Sequence, residues 1–235
     1  MLTVVTWLWP PAPGYRSMFC ARHVNTLQRM VVRHYPHPHR FLCVTAETEG
    51  LSRDVEIVPP WNDFVEVPSP YGPRNPSCYR RLRMFHPDIG QVFGERFVSL
   101  DLDSVIVGDL TPIWHRPEDV VFFGETDPRS FYNGSMQLHR AGSRPQVWTR
   151  FDPGSSPMAA ANAGRFGSDQ GWISHVLGPG EAIWTPADGV YSYRVHLKPR
   201  DFRLPANAKM VMFHGGVDPW HPVAQRLAWV REHWQ

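Results

Sequence analysis

The sequence predicts an α/β protein in which a mostly parallel sheet is flanked by helices on both faces. Short apolar runs alternate with helical patterns over the first hundred residues, which is typical of parallel strands joined by crossover helices. One such run, ending at Leu100, is followed at once by Asp101 and Asp103. Ligands in sheets of this kind bind at the carboxyl ends of the strands, so we expect a functional site there.

The predicted strands are short runs rich in β-branched and aromatic residues, bounded by proline, glycine or polar residues. The first is stopped by Pro10, and the fourth runs directly into Asp101. A turn at Asn133 and Gly134 is expected between two later strands. The predicted strands cover residues 2–8, 40–45, 55–58, 97–100, 120–123, 135–138 and 210–213, and the chain continues apolar over residues 105–107.

The predicted helices follow from apolar spacing and from the residues at their ends. Apolar residues recur at helical spacing between residues 19 and 31. Asp169 and Gln170 lie in the first turn of a later helix, where the helix dipole favours a carboxylate. Pro222 suits the first position of a C-terminal amphipathic helix. The helices are expected over residues 15–33, 79–85, 168–177 and 222–234.

Composition limits the classes of protein to which the chain can belong. Its 235 residues, 42% hydrophobic and 20% charged, are an ordinary globular balance and enough for one substantial domain. The net charge of +2 suits an anionic ligand but does not by itself indicate nucleic-acid binding. No run of about 20 apolar residues is present, and the apolar start lacks the flanks of a signal peptide, so we expect a cytoplasmic protein.

Asp101 and Asp103 are the residues whose spacing most suggests a chemical role. Two carboxylates that follow a buried strand at this spacing can face one cation if the chain turns between them, and hard divalent cations prefer oxygen ligands. A metal ion bridging a diphosphate neutralises the charge that develops on the leaving group. A structural role, in which the two aspartates cap a strand and a turn, is equally consistent with the pair alone.

The order of motifs resembles glycosyltransferase family 8, the glycogenin-like and galactosyltransferase-like enzymes, including short forms in bacterial and phage genomes. The resemblance extends from Leu2 to about Trp220. Each motif is weak alone, and their shared order makes the comparison specific. The matching segments are residues 99–110 (the Asp-x-Asp segment), 131–135 (the turn that contacts the donor sugar), 167–170 (the Gly-x-Asp-Gln motif beside the reacting carbon) and 213–220 (the late histidine, glycine and Pro-Trp motif).

The resemblance implies a GT-A fold, a Rossmann-like, mostly parallel mixed sheet flanked by helices, in one domain over residues 1–235. Residues 1–103 would form the nucleotide-binding half and residues 104–235 the sugar and acceptor half. The implied activity is metal-dependent transfer of a sugar from a nucleoside-diphosphate sugar, expected to be a UDP-sugar, with retention of the anomeric configuration. The acceptor stays open between a glycan, a protein and a modified DNA base, and the oligomeric state is not readable from the sequence.

The resemblance also implies roles for individual residues. Asp101, Asp103 and His214 would bind one Mn²⁺ or Mg²⁺, and an imidazole ligand favours manganese slightly. Contact with the donor sugar falls to Asn133, Asp169 and Gln170. The residues expected to contact the nucleotide or its phosphates are Trp7, Tyr15, Arg81, Leu102, Gly134, Gly215 and Gly216.

One departure from the family concerns the diphosphate. Asp218 stands where the family has a phosphate-binding lysine, and a carboxylate cannot hold a diphosphate. Lys198, Lys209 or Arg81 could substitute, or the donor could be held differently. Trp7 and its neighbours occupy the place of the family's contacts after the first strand, which leaves the base preference open.

Two other functions remain open from the sequence. A haloacid-dehalogenase-type phosphatase also has an Asp-x-Asp-x-Val motif, in which Asp101 would be the nucleophile and Asp103 the acid/base. That motif normally follows the first strand, and no downstream Gly-Asp-x-x-x-Asp pair is present for its magnesium. The other is a domain that binds a nucleotide sugar without catalysis, which the loss of the lysine at Asp218 favours.

Overall fold

The computed structural model describes residues 1–10, 14–15, 17–75, 77–124 and 126–235. In this part of the chain, ten strands form one seven-stranded and one three-stranded sheet, which confirms the predicted α/β class. The strands are β1 (Leu2–Trp7), β2 (His39–Val44), β3 (Glu56–Val58), β4 (Arg96–Leu100), β5 (Ser104–Ile106), β6 (Val120–Phe123), β7 (Asn133–Arg140), β8 (Ala182–Trp184), β9 (Val190–Ser192) and β10 (Met210–Met212).

Helices surround the large sheet, and several of them are a single turn long. The α-helices are α1 (Ala21–His34), α2 (Gly90–Phe93), α3 (Thr111–Trp114), α4 (Gln146–Thr149), α5 (Ser156–Asn162), α6 (Asp169–Leu177) and α7 (Ala228–His233). Segments of 3₁₀-helix cover Tyr79–Phe85, Pro186–Asp188, Lys198–Arg200 and Ala224–Arg226, and Tyr193–Leu197 forms a turn of π-helix. No helix in the described part of the chain is long and apolar enough to cross a lipid bilayer.

The large sheet has the strand order β3-β2-β1-β4-β7-β6-β8. β1 pairs in parallel with β2 and β4, whereas β7 runs antiparallel between β4 and β6. Both faces of the sheet are buried, as expected where parallel strands are covered by helices. In β1, Val4 and Val5 are fully buried but belong to different apolar clusters, because successive side chains point to opposite faces.

Each face is covered by different elements. Val24 and Leu27 of α1 pack in the cluster that contains Val4. Leu82 of the 3₁₀-helix Tyr79–Phe85 and Trp172 of α6 pack in the cluster that contains Val5. The second face therefore brings the 3₁₀-helix and the start of α6 together over the sheet.

The small sheet determines where two later segments meet. β10 pairs antiparallel with β5 and in parallel with β9. Val105, Val190 and Met210 belong to the same apolar cluster as Val4, so this sheet packs on the α1 side of the molecule. Because β9 and β10 are parallel, their carboxyl ends lie side by side, and the residues that follow them are neighbours.

The helix predicted over residues 15–33 begins later, at Ala21, and residue 16 lies outside the described residues. Cys20 is extended and caps the helix, and its backbone N–H donates to Nδ1 of His23 at 3.0 Å. Residues 17–20 are outside the helix. The apolar spacing that includes Phe19 therefore extended the prediction by several residues beyond the true start.

Two other predicted elements were wrong in detail. Asn133 and Gly134 do not form a turn but begin β7, where Asn133 pairs with Phe123 beside an irregularity in the register. The C-terminal helix is interrupted at Leu227, which is extended, and divides into a 3₁₀ segment and α7. Asparagine and glycine are common in turns, but packing against the sheet makes these two residues part of a strand.

His139 in β7 is a buried polar residue that makes the fold sensitive to acid. Its ring stacks on Phe97 with a 4.9 Å centroid separation, and its Nε2 lies 3.2 Å from Oε1 of Gln137. Burial, aided by the charge of Arg96, lowers the pKa of His139 to about 3. Between pH 6.5 and about pH 3, the unfolded chain therefore binds a proton at His139 that the folded chain does not bind.

We expect the free energy of unfolding to fall by about 1.4 kcal/mol per pH unit from this one group as the pH drops from near 6.5 towards 3. His139→Leu should remove that contribution and flatten the pH dependence, as urea denaturation between about pH 7 and pH 4 would measure. Gln137→Leu alters the same buried pair without removing a titrating group and should keep the wild-type slope. Equal slopes for His139→Leu and the wild type would contradict the assignment.

Candidate functional site

A cleft of about 580 Å³ opens beside the carboxyl ends of β4, β9 and β10. It brings together the residues that the sequence assigned to the donor sugar and part of the predicted metal site. Asp101, Asn133, Asp169, Gln170 and His214 all line it. A smaller pocket of about 140 Å³ adjoins it and shares Tyr15, Cys78, Arg81 and Asp101 with the cleft.

Arg81 lies between two carboxylates at the floor of the cleft. Its Nη1 forms an ion pair with Oδ1 of Asp101, and its Nη2 lies 2.7 Å from Oδ2 of Asp169. Arg81 Nε also donates to Oδ2 of Asp169 at 2.9 Å. The Arg81 side chain is 7% exposed, and burial of this kind strengthens paired charges. The charge of Arg81 is therefore balanced by two protein carboxylates.

The elements that carry this ion-pair network meet through a backbone contact. Asp169 is the first residue of α6, and Ser168 precedes it. The Cys78 N–H, just before the 3₁₀-helix that contains Arg81, donates to Oγ of Ser168 at 3.3 Å.

Burial raises the pKa of Asp101 above its ordinary value, even though the Arg81 guanidinium favours the ionised form. Burial also raises the pKa of the Cys78 thiol to about 12, so that this cysteine is not a nucleophile at neutral pH.

His214 follows β10 and has an unsatisfied nitrogen. Its Nε2 is buried and has no hydrogen-bond partner among the described residues. Burial, with the charges of Arg194 and His196, lowers the pKa of His214 to about 4, so the imidazole is neutral at neutral pH. Neutral imidazole is the form that binds metal ions. A buried polar atom without a partner is uncommon in folded proteins and is consistent with a missing ligand.

The backbone connects His214 to the Asp-x-Asp segment. Phe213 N–H donates to the carbonyl oxygen of Asp103 at 2.9 Å, which continues the pairing of β10 with β5. Asp103 lines the smaller pocket, His214 lines the cleft, and Asp101 lines both. The strands therefore bring the three predicted metal ligands to one edge of the molecule.

These three side chains do not form an assembled metal site in the structure. Across the described ranges, no three histidine, cysteine, aspartate or glutamate side chains lie close enough to hold one ion. Asp101 is paired with Arg81 instead. The donor types nevertheless fit a divalent cation, because two carboxylates and a neutral, unpaired imidazole are suitable ligands for Mn²⁺ or Mg²⁺.

Asn133 and Gly134 form one wall of the cleft at the start of β7. Asn133 Oδ1 accepts from the Ser135 N–H at 2.9 Å, and its Nδ2 donates to Oγ1 of Thr126 at 3.1 Å. A Cβ atom added to Gly134 would lie 2.7 Å from Nη2 of Arg81. The glycine therefore leaves room for the guanidinium.

Gln170 is held loosely at the start of α6. Its Oε1 accepts from the Gly134 N–H at 3.4 Å, and its Nε2 donates to the Phe166 carbonyl at 3.5 Å. Hydrogen bonds at these distances are long. The Gln170 amide can therefore exchange them for a ligand without large cost, unlike the saturated Asp169.

The residues predicted to contact the nucleotide are divided between the two pockets. Trp7 and Leu102 line the smaller pocket, and the Trp7 Nε1–H donates to Oγ of Ser99 at 3.0 Å. The cleft is lined by Gly134 and Gly215 and, like the smaller pocket, by Tyr15, whereas Gly216 lies outside the lining of both.

Sequence analysis missed several residues of the cleft. Of these, Arg194 follows β9 at the point where His214 follows β10, and Asp127 lies opposite with Arg129 bound to it at 2.7 Å. β9, which positions Arg194, was not among the strands predicted from the sequence. No role was predicted from the sequence for Arg194.

The fold is similar to those of solved glycosyltransferases. The galactosyltransferase LgtC in complex with donor and acceptor sugar analogues matches with 14% identity and a TM-score of 0.62, over 98% of this chain and 93% of that one. The glycosyltransferase GlyE from Streptococcus pneumoniae TIGR4 matches with 12% identity and a TM-score of 0.60, over 99% of this chain and 63% of that one.

The bifunctional glycosyltransferase WbbM, solved without ligands, matches with 12% identity and a TM-score of 0.55, over 95% of this chain and 47% of its own length. No protein-family model and no curated protein matches the chain. At such low identity, what is shared is the fold. These matches confirm the GT-A-type fold predicted from the motifs.

Proposed function

We propose that the chain is a metal-dependent glycosyltransferase that moves a sugar from a nucleoside-diphosphate sugar to an acceptor. The observation that carries the proposal is the convergence of Asp101, Asn133, Asp169, Gln170 and His214 in one cleft of a GT-A-type fold. These residues are far apart in the sequence and come from separate elements. The motif order had assigned all five to the donor or its metal.

Asp101, Asp103 and His214 would hold the metal ion. A divalent cation there supplies Lewis-acid stabilisation of the departing diphosphate. His214 contributes a neutral imidazole whose Nε2 has no partner among the described residues, and Asp103 is fixed through its own backbone contact with Phe213. The second oxygen of the Asp101 carboxylate does not take part in its pair with Arg81.

The remaining residues orient the donor sugar. Arg81 fixes the carboxylate of Asp169 in the cleft through two nitrogens, so that its negative charge is positioned before the donor binds. A fixed negative charge stabilises the positive charge that develops on the sugar as the diphosphate leaves. Asn133 and Gln170 supply amides that can bind hydroxyl groups of the sugar.

Finer features of the proposal come from the family resemblance. They are a UDP-sugar donor, retention of configuration, and a division into a nucleotide half (residues 1–103) and an acceptor half (residues 104–235). The acceptor stays open between a glycan, a protein and a modified DNA base. The glycosyltransferase matches count against the phosphatase alternative.

Donor hydrolysis tests the proposal directly. Purified protein is incubated with a panel of nucleotide sugars in Mn²⁺ or in EDTA, and released nucleoside diphosphate is measured. We expect release from one donor in Mn²⁺ only, and a loss of about a hundredfold or more in Asp103→Asn. Asp109→Asn changes an exposed aspartate of the same segment that lies outside both pockets, and it should keep wild-type release.

The outcomes separate the candidate functions. Turnover of a phosphate monoester without any release from nucleotide sugars would replace the transferase with the phosphatase. Metal-dependent binding of a nucleoside diphosphate in calorimetry, without release from any donor or transfer to any acceptor extract, would favour a binding domain without catalysis. Equal loss in Asp103→Asn and Asp109→Asn would remove the role assigned to Asp103.

A further inference from the structure

Four arginines line the cleft, and they differ in what they bind. Arg81 is held by Asp101 and Asp169, and Arg129 is paired with Asp127 at 2.7 Å. The side chains of Arg74 and Arg194 make no hydrogen bond or ion pair with any other residue that the structure describes, although the charge of Arg194 interacts with that of Asp127. Two cations of the cleft are therefore available to an anionic ligand.

The register of the small sheet places Arg194 beside His214. Met212 of β10 is paired with Ser192 of β9, and the two strands are parallel. His214 lies two residues after Met212, and Arg194 lies two residues after Ser192. The two side chains therefore follow neighbouring strand ends at the same level.

The turn that carries Arg194 is held in place by side-chain hydrogen bonds. Ser192 Oγ accepts from the Val195 N–H at 3.0 Å, and Nδ1 of His196 accepts from the Ser192 N–H at 2.9 Å. Arg194 lies in the single turn of π-helix that these bonds frame. Turns of π-helix are rare and are frequent at functional sites.

Gly215 lets the Arg194 stem approach the segment after β10. Gly215 has a φ of 119°, a conformation that side chains rarely adopt, and a Cβ there would lie 3.4 Å from Cδ of Arg194. The stem of the exposed arginine thus lies close to this glycine, and Arg194 is among the residues that line the cleft. The unpaired Nε2 of His214 lies in the same wall.

The other cations considered from the sequence are less suitable. The charge of Arg81 is balanced by two carboxylates. Lys209 precedes β10, at the opposite end of the strand from His214, and Lys198 is outside the lining of both pockets. Asp218, at the position of the family's lysine, is 5% exposed and accepts from Oγ of Ser17 at 2.7 Å.

We propose that Arg194 binds the diphosphate of the donor, in the role that the sequence could not assign. The inference rests on the proposed function. A guanidinium presents two parallel N–H donors to phosphate oxygens, whereas a lysine would offer a single point charge. Arg194 then neutralises charge on the leaving diphosphate from the His214 side of the cleft.

The test measures the affinity for UDP and for inorganic pyrophosphate by calorimetry at a fixed concentration of MgCl₂. Arg194→Met removes the charge and keeps much of the stem, and it should weaken both ligands by about tenfold to a hundredfold. Arg194→Lys should give an intermediate affinity. Lys198→Met removes an exposed cation four residues away, outside the cleft, and should bind both ligands like the wild type.

Wild-type affinity of Arg194→Met for both ligands would overturn the assignment while leaving the proposed function standing. If the wild type bound pyrophosphate through Arg194 but bound none of UDP, ADP, GDP, CDP and dTDP, the anion contact would be supported and the nucleotide-sugar donor would fail. Absence of binding of every probe to the wild type would overturn both proposals.

Discussion

Replacing Arg81 with leucine is expected to lower the free energy of unfolding by about 3–5 kcal/mol. The substitution leaves Asp101 and Asp169 facing each other in a buried site without their shared cation. The two carboxylates, of which Asp169 is 3% and Asp101 29% exposed, repel one another, and a buried charge that has lost its partner costs far more than an exposed one. Urea denaturation of the wild type and Arg81→Leu at neutral pH measures the difference.

Arg140 provides a matched control, because it also bridges two carboxylates but at the surface. It lies 2.8 Å from Glu95 and 2.8 Å from Asp119, and its side chain is 48% exposed, against 7% for Arg81. Arg140→Leu should cost no more than about 1 kcal/mol, since exposed ion pairs contribute little. Similar losses for the two variants would show that burial does not set the strength of the Arg81 network.

The sequence predicted β1 and β6 well because their composition is that of buried strands. β1 and β6 are buried along their whole length, and their apolar runs are bounded by polar residues or proline. The predicted ranges 2–8 and 120–123 differ from the observed strands by one residue at most. Apolar runs of this kind can adopt few structures other than a buried strand, so the local sequence pattern and the tertiary structure agree.

The short strands could not be predicted in the same way. β8 and β9 are three residues long, and no prediction was made for either of them. Their pairing depends on β6 and β10, which are distant in the sequence. β8 and β9 are therefore specified by the neighbouring strands that they join more than by their own pattern, whereas β3 and β10, of the same length, were predicted.

The same distinction applies to the candidate site. Asp101 and His214 follow buried strands, and Asp169 begins a helix, so their places at element ends were readable from sequence. The partner of Asp101 was not readable, because Arg81 reaches it from a 3₁₀-helix across the sheet. Arg194 was missed because its position follows from the β9–β10 register.

Gly134 offers a steric test of the Arg81 network. A Cβ there would lie 2.7 Å from Nη2 of Arg81 and 3.4 Å from Oδ2 of Asp169. An arginine guanidinium can usually move away from a methyl group at small cost. The Arg81 guanidinium is bound to Asp101 and Asp169, so it cannot move without breaking one of these ion pairs. Gly134→Ala should therefore destabilise the fold by about 1–3 kcal/mol.

The effect of Gly134→Ala on donor hydrolysis should be larger than its effect on stability. Shifting Arg81 moves the Asp169 carboxylate that it positions, and a displacement of about 1 Å at a reacting centre can cost on the order of a hundredfold in rate. Gly154→Ala is the control, since a Cβ there makes only an ordinary 3.4 Å contact with Asp152, away from the cleft. Wild-type hydrolysis by Gly134→Ala would mean that the Arg81–Asp169 pair has no part in holding the donor, because the steric conflict cannot be relieved without moving it.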